Sequence, residues 1–267
     1  MNKVIAYISL FLLSGFLIFL LKKDSSISEL AINVFAAIII ILFEKIIENF
    51  RLIWLWIITN TKYRKRKIRL SISYLFKIKI DDKYLLVKGK RVPNQYQPVG
   101  GVFKRYRESY YALTNLGVTD DANIPIDNIS IDDLRVKIPA KNVVTFFKWY
   151  NSQLGREVSP YREFYEELIR SGIVKQSEFP YLNYVHRGRH MSKIHYSSHF
   201  QCYEILIAEI FDLKPNDEQE NIFKLLIQNN SNNDEYIWAD EDLIQRKGVT
   251  PGQTNSFTIA ETAIWTL

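Results

Sequence analysis

The sequence predicts an α+β domain preceded by an N-terminal two-helix transmembrane hairpin. Three features predict it. Two long apolar runs lie before residue 61. Directly after them, apolar and polar residues alternate at the period of a β-strand. Further on, strand-like segments are interrupted by segments with helical spacing and helix-start signals. At 267 residues the chain is long enough for more than one unit. Its hydrophobic fraction is 47%, yet its mean hydropathy is only −0.12, so the apolar content is concentrated, and it is concentrated at the N-terminus.

Residues 4–21, VIAYISLFLLSGFLIFLL, carry no charge and are long enough to cross a hydrocarbon core as a helix. A signal peptide is the competing reading, since Lys3 precedes the run. However, Leu20-Leu21-Lys22-Lys23 follows with no small-residue cleavage site. The second run, LAINVFAAIIIILF, spans residues 30–43 and reaches spanning length if it extends to Ile47 with Glu44 and Lys45 snorkelling to the interface. A buried core helix is the alternative. Residues 50–58, with Arg51, Trp54 and Trp56, read as an interfacial continuation. Six of the eight residues 62–69 are basic. Such a cluster after a span stays in the cytoplasm and rests on anionic headgroups. It also accounts for much of the net charge of +6, so no nucleic acid polymer need be invoked as a partner. The expectation is a hairpin over 1–61 with both termini cytoplasmic and a basic linker over 62–69. Lys22 and Lys23 in the far loop run against the charge rule. The single cysteine, Cys202, excludes an intrachain disulfide and fits a reduced compartment.

From Ile68 to Ile80 the alternation predicts a strand, with Leu75 the one apolar exception. Asp81-Asp82-Lys83 turns it, and residues 84–88 return as a second strand. A loop over 91–98 leads to Gly100-Gly101, which marks a positive φ or a close backbone approach, and a short strand follows at Val102-Phe103. Residues 105–140 mix turns with short apolar pairs, among them Ile124-Pro125-Ile126. Residues 141–154 read as a helix. Ser159-Pro160 fits an N-cap with proline at the first helical position, opening a helix over 161–170 that Gly172 ends. Residues 200–213, FQCYEILIAEIFDL, read as a long half-buried strand. A helix (NIFKLLIQ), an Asn-rich loop (NNSNND), a short strand at 236–238 and two helical pieces at 240–246 and 259–267 complete the chain. The domain is placed at 70–245, and 246–267 is read as a helical tail.

The segment 162–172, REFYEELIRSG, carries three glutamates. On a helix Glu163, Glu166 and Glu167 share one face, with Arg162 one turn from Glu166. Phe164 and Leu168 fall on the other face. Carboxylates so placed suit a hard divalent cation such as Mg or Mn. A solvated acidic face is the alternative.

Arg-Glu-hydrophobic-x-Glu-Glu, here R162-E163-F164-Y165-E166-E167, resembles the core of the Nudix box, and Gly100-Gly101 resembles the glycine pair that opens it. Here, however, Arg107 stands where the family has a glutamate, with Glu108 one place late. The spacer before the helix is much longer, and the glycine after Glu167 is displaced to Gly172. The helix half of the motif is kept and the loop half is dismantled, which suits binding better than fast turnover. With two apolar runs, a basic link, PVGG, YREFYEELI and YEILIAEIF, the whole chain resembles the SMODS-associated NUDIX proteins. These are membrane effectors of CBASS, the bacterial cyclic-oligonucleotide anti-phage system.

The resemblance implies a Nudix-like mixed β-sheet between helices, an α/β/α sandwich. It implies a cyclic nucleotide made on infection by a neighbouring CD-NTase and sensed by this domain. It further implies a homo-oligomer that disrupts the lipid bilayer of the inner membrane and kills the cell. The alternative is a membrane-tethered Nudix hydrolase cleaving a nucleoside diphosphate derivative with Mg or Mn, in which Glu163, Glu166 and Glu167 are the metal-binding and catalytic residues. A third reading is an inert anchor that recruits partners.

Arginines grip phosphates bidentately. Arg187, Arg189 and His190 are expected to form a basic rim for the ligand, with Arg105 and Arg107 reaching it from the glycine loop and Arg162 from the helix. Tyr74, Phe76 and Tyr96 are candidates to stack a base, with core packing the favoured alternative for Phe76. The histidine pairs HRGRH and HYSSH are four residues apart. In a strand that spacing is about 13 Å, too far to share a metal.

Overall fold

In a computed structural model the chain is described at Phe16, Ile18 and residues 26–90, 92–121, 130–229, 234–250, 252 and 257–267. It divides into two units, Met1–Arg64 and Lys65–Leu267. In the first, helix α1 (Ser26–Asn60) runs unbroken for 35 residues, through both the expected second span and its continuation. Among the described residues no helix is long and apolar enough to cross a membrane. The charge-free stretch 30–43 rises only about 21 Å at 1.5 Å per residue, against a hydrocarbon core of about 30 Å. The expected transmembrane hairpin is therefore not supported, and its first span, residues 4–21, lies outside the described residues. Along α1, Ile39, Ile40, Phe50, Trp54 and Trp56 are exposed.

The second unit is α+β, as expected. In chain order it contains β1 (Lys67–Lys77), β2 (Lys79–Ile80), β3 (Lys83–Lys88), β4 (Gln95–Pro98), β5 (Gly100–Val102), α2 (Tyr110–Asn115), β6 (Thr119–Asp120), β7 (Arg135–Pro139), α3 (Val143–Ser152), α4 (Tyr161–Phe164), β8 (Tyr184–Met191), β9 (His195–Ser197), β10 (Cys202–Leu213), α5 (Asp217–Gln228), β11 (Tyr236–Asp240), α6 (Glu241–Gln245) and β12 (Thr258–Ile259). The expected loop at 124–126 and most of the Asn-rich loop lie outside the described residues.

The strands divide between two sheets rather than forming the single sheet expected. The larger has the order β6-β7-β1-β10-β8, with β5 also on β1 and β9 also on β10. At its centre β1 and β10 run parallel, Ile72 opposite Ile207. A strand paired on both sides and covered on both faces reads as nearly continuous apolar sequence, and this accounts for Leu75. While Tyr74 and Phe76 face the helix side, Leu75 turns to the opposite face and packs with Ala208 and Ile210 under Trp265. On the helix side Phe76 meets Phe164 of α4 with ring centroids 5.7 Å apart, and Phe164 meets Phe179 at 5.4 Å.

The smaller sheet has the order β11-β3-β4-β12, with β2 on β3. Its core joins Tyr84, Leu86 and Tyr96 to Ile244, Ile259 and Ala263. Residues 246–267 are thus not a tail: β12 adds a parallel strand to β4, and a 3-10 segment (Glu261–Thr266) replaces the expected helix.

Candidate functional site

The start of α4 lies one residue later than expected: Pro160, not Ser159, is the N-cap, and the Ser159 Oγ accepts from the Tyr161 N–H at 3.2 Å. The helix then departs from the α-helical spacing. Residues Tyr165–Ile169 form a π-turn, closed by the Arg170 N–H donating to the Tyr165 carbonyl at 2.7 Å. Single π-turns inside helices occur frequently at functional sites. Phe164 and Leu168 remain fully buried, as the amphipathic pattern requires.

The carboxylates are spent within the protein. Glu167 Oε2 accepts from the Gly100 N–H at 2.8 Å. Glu163 Oε1 lies 2.6 Å from Arg162 Nη1, with its backbone N–H donating to the Tyr74 hydroxyl at 3.3 Å. Glu166 is 3.5 Å from the same arginine, as the one-turn spacing predicts. The glycines make this approach possible. A Cβ on Gly100, at φ +157°, would sit 2.1 Å from the Tyr74 carbonyl oxygen, and one on Gly101 would sit 2.0 Å from Glu163 Oε1.

Arg162 is the hub. Its Nε donates to Glu157 Oε1 at 2.9 Å, and its Nη2 donates to Glu157 Oε2 at 3.1 Å and to the Val102 carbonyl at 2.9 Å. It ties β5 to α4 rather than presenting a free guanidinium. Burial would lower its proton affinity, but hydrogen bonds to Glu157 and the charge of Glu163 raise it above the usual arginine range.

Burial pushes the Glu167 carboxyl up to about 8, against the opposing hydrogen bond from Gly100. Burial also raises Glu163, with Arg162 pulling the other way. Among the described residues no group of three or more histidine, cysteine, aspartate or glutamate side chains is arranged to hold a metal ion. With Glu163 bound to Arg162 and Glu167 to the Gly100 N–H, the three carboxylates do not fit Mg or Mn as they stand.

The expected basic residues separate into two groups. Arg105 is 2.5 Å from Asp120 and lines a 180 Å³ cavity with Tyr110 and Thr119, while Arg107 is exposed on the 3-10 turn Arg107–Ser109. Neither lines the cavity formed by the second group. Arg187, Arg189 and His190 do come together there, as expected, around a cavity of 370 Å³ whose other walls include Lys77, Ile210 and Trp265. His190 stacks on Trp265 with centroids 4.1 Å apart and planes at 18°. Arg187 Nε donates to Asp212 Oδ2 at 2.8 Å. Burial lowers the Lys77 ammonium, and Arg187 adds to this against the pull of Asp212.

The family model described as the SMODS-associated NUDIX domain matches residues 67–267. The chain belongs to the SMODS-associated NUDIX domain family. No curated protein and no solved structure matches it.

In this SMODS-associated NUDIX domain the expected base-stacking residues are structural. Tyr74, Phe76 and Tyr96 are 0%, 1% and 6% exposed: alternation in β1 points Tyr74 and Phe76 into the helix-side core, as favoured for Phe76, and Tyr96 of β4 packs in the core of the smaller sheet. The histidines have separate partners: His186 Nε2 is 2.8 Å from Glu209, His195 Nε2 is 3.1 Å from Glu204, and His199 lies against Phe200. Sequence reasoning missed Lys77, read only as a polar position of the strand, and Trp265, read as part of a tail. The β-bulge between Ile210 and Phe211, which shifts Arg187 out of simple alternation, has no marker in the sequence except Gly188.

Proposed function

We propose that this chain is the effector of a CBASS system and that its SMODS-associated NUDIX domain binds a cyclic nucleotide made by a neighbouring CD-NTase. The observation that carries this reading is where the box carboxylates go. Glu167 holds the glycine loop through the Gly100 N–H, and Glu163 is held by Arg162, an arrangement that secures a fold instead of offering ligands to a metal. This favours sensing over hydrolysis of a nucleoside diphosphate derivative.

The ligand's phosphates lie against Lys77 and Arg187, with Arg189 and His190 completing the rim; cations grip phosphate oxygens by charge-assisted hydrogen bonds. The N-terminal unit holds the domain at the cytoplasmic side of the inner membrane. The exposed Ile39, Ile40, Phe50, Trp54 and Trp56 of α1 support membrane association. Ligand binding drives self-association, which disrupts the bilayer and kills the cell. A ligand shifts such an equilibrium only by its differential affinity for the two states.

A panel of cyclic di- and trinucleotides titrated against the full chain in detergent tests this. Binding of one member, weakened by Lys77→Ala and Arg187→Ala, is expected. Robust turnover of a nucleoside diphosphate derivative with Mg or Mn, lost in Glu163→Gln, Glu166→Gln and Glu167→Gln, would reverse the assignment in favour of the hydrolase.

A further inference from the structure

A second cavity, of 500 Å³, opens on the helix side of β8 and β10. Register places it on the opposite face from Lys77 and Trp265. Gly188 pairs with Ile210 and His190 with Ala208 on one side, while Arg189 pairs with Glu209 and His186 with Phe211 on the other. Its walls are the rings of Phe103, Tyr150, Tyr184 and Phe211. Its volume falls within the roughly 300–1,000 Å³ of small-molecule sites, which are largely apolar with a few placed polar groups.

The polar groups here differ in kind from those around Lys77. The floor is the carboxylate of Glu209, a residue only 6% exposed. Its Oε1 accepts from Arg189 Nε at 2.7 Å and from the Tyr150 hydroxyl at 3.2 Å; its Oε2 faces His186 Nε2 at 2.8 Å. Arg156 is also committed: its Nε donates to the Tyr150 carbonyl at 2.8 Å and its Nη1 to the Glu157 carbonyl at 2.6 Å, with the guanidinium 3.9 Å from the Tyr150 ring centroid. A phosphate entering here would meet a carboxylate and arginines already satisfied. A flat, uncharged ring would find aromatic walls, and a donor on its edge would find the second lone pair of Glu209 Oε2.

We propose that this cavity is a base pocket, taking an amine-bearing nucleobase whose N–H edge donates to Glu209. The inference rests on the nucleotide-sensing reading above and deepens it. Arg189 lines both cavities, so one ligand reaches around the β8 edge with phosphates by Lys77 and a base by Glu209. Uracil is disfavoured, because carbonyls flank its single N–H and would face the carboxylate.

The test uses the full chain in detergent. Adenosine, guanosine, cytidine and uridine are titrated against wild type, Glu209→Gln and His186→Ala, alongside inorganic pyrophosphate and the cyclic dinucleotides. The expected result is that at least one amine-bearing nucleoside binds, uridine binds weakest, and both variants lose about tenfold in nucleoside affinity, with pyrophosphate affinity unchanged in His186→Ala. His186→Ala changes a half-exposed side chain and keeps the test decisive should Glu209→Gln fold poorly. The proposal is overturned if no nucleoside binds, or if one binds equally to wild type and His186→Ala. A cyclic dinucleotide bound equally by all three proteins overturns the base pocket and leaves sensing intact. Nucleoside binding that depends on His186, with no cyclic nucleotide bound, does the reverse.

Discussion

Replacing Glu167 by glutamine tests the carboxyl that joins the box helix to the glycine loop. Burial moves this group from an ordinary 4.5 up to about 8. The folded chain therefore binds a proton that the unfolded chain releases. Stability from this site is fully present below about pH 4.5 and is lost as pH rises through about 8. At about 1.4 kcal/mol for each pH unit, the move from 4.5 to about 8 corresponds to roughly 4–5 kcal/mol. The residue is only partly buried, and solvent screening reduces this to about 2–4 kcal/mol. Glutamine keeps an oxygen for the Gly100 N–H and cannot ionise. Urea denaturation of the full chain at about pH 5 and about pH 8 should show wild type losing about 2–4 kcal/mol relative to Glu167→Gln across that interval. Other titrating groups are common to both proteins and largely cancel in the difference. Parallel pH profiles for the two proteins would refute the reasoning.

Gly100→Ala should destabilise the domain more than Gly101→Ala in the same urea assay. The new methyl at 100 meets backbone atoms of Tyr74 and Leu75, whereas the one at 101 meets the movable end of Glu163. Arg162→Lys should cost about 2–3 kcal/mol, because a lysine cannot reproduce the paired contact to Glu157 together with the bond to the Val102 carbonyl; an unchanged urea midpoint would refute its role as the hub. Trp265→Ala should weaken pyrophosphate binding less than Lys77→Ala does, since it removes only the ring stacked on His190; calorimetric titration decides this. Light scattering in detergent should show the full chain growing in oligomeric state with a cyclic nucleotide it binds, and an unchanged particle size would remove self-association from the proposed mechanism.

Much of the fold is written locally. The period-two alternation from Ile68 specifies a strand because successive side chains of an extended chain face opposite ways, and β1 follows it to Lys77. The spacing of Phe164 and Leu168 specifies one buried helix face, and both are buried. The R-E-F-Y-E-E run points to the Nudix box, its combination with the apolar runs, the basic link and PVGG points to the family, and Arg187, Arg189 and His190 are legible as a basic cluster because four consecutive positions of β8 hold them.

Other features depend on partners distant in sequence. Whether Glu163 and Glu167 serve a cation or the fold is decided by Gly100, Gly101 and Arg162, brought together by the pairing of β5 with β1 and the seating of α4 on that sheet. The α-helical spacing places all three glutamates on one face, and they stay together there, but that face is turned to Arg162 and the glycine loop. Trp265 reaches His190 only because β12 and the segment after it fold back onto the domain. Glu209 becomes the floor of an aromatic cavity only through Tyr150 of α3 and His186 of β8. Periodicity reports which way a side chain faces within its own element; what it faces is set by contacts between segments separated by up to more than a hundred residues, and those arise only when the sheet closes.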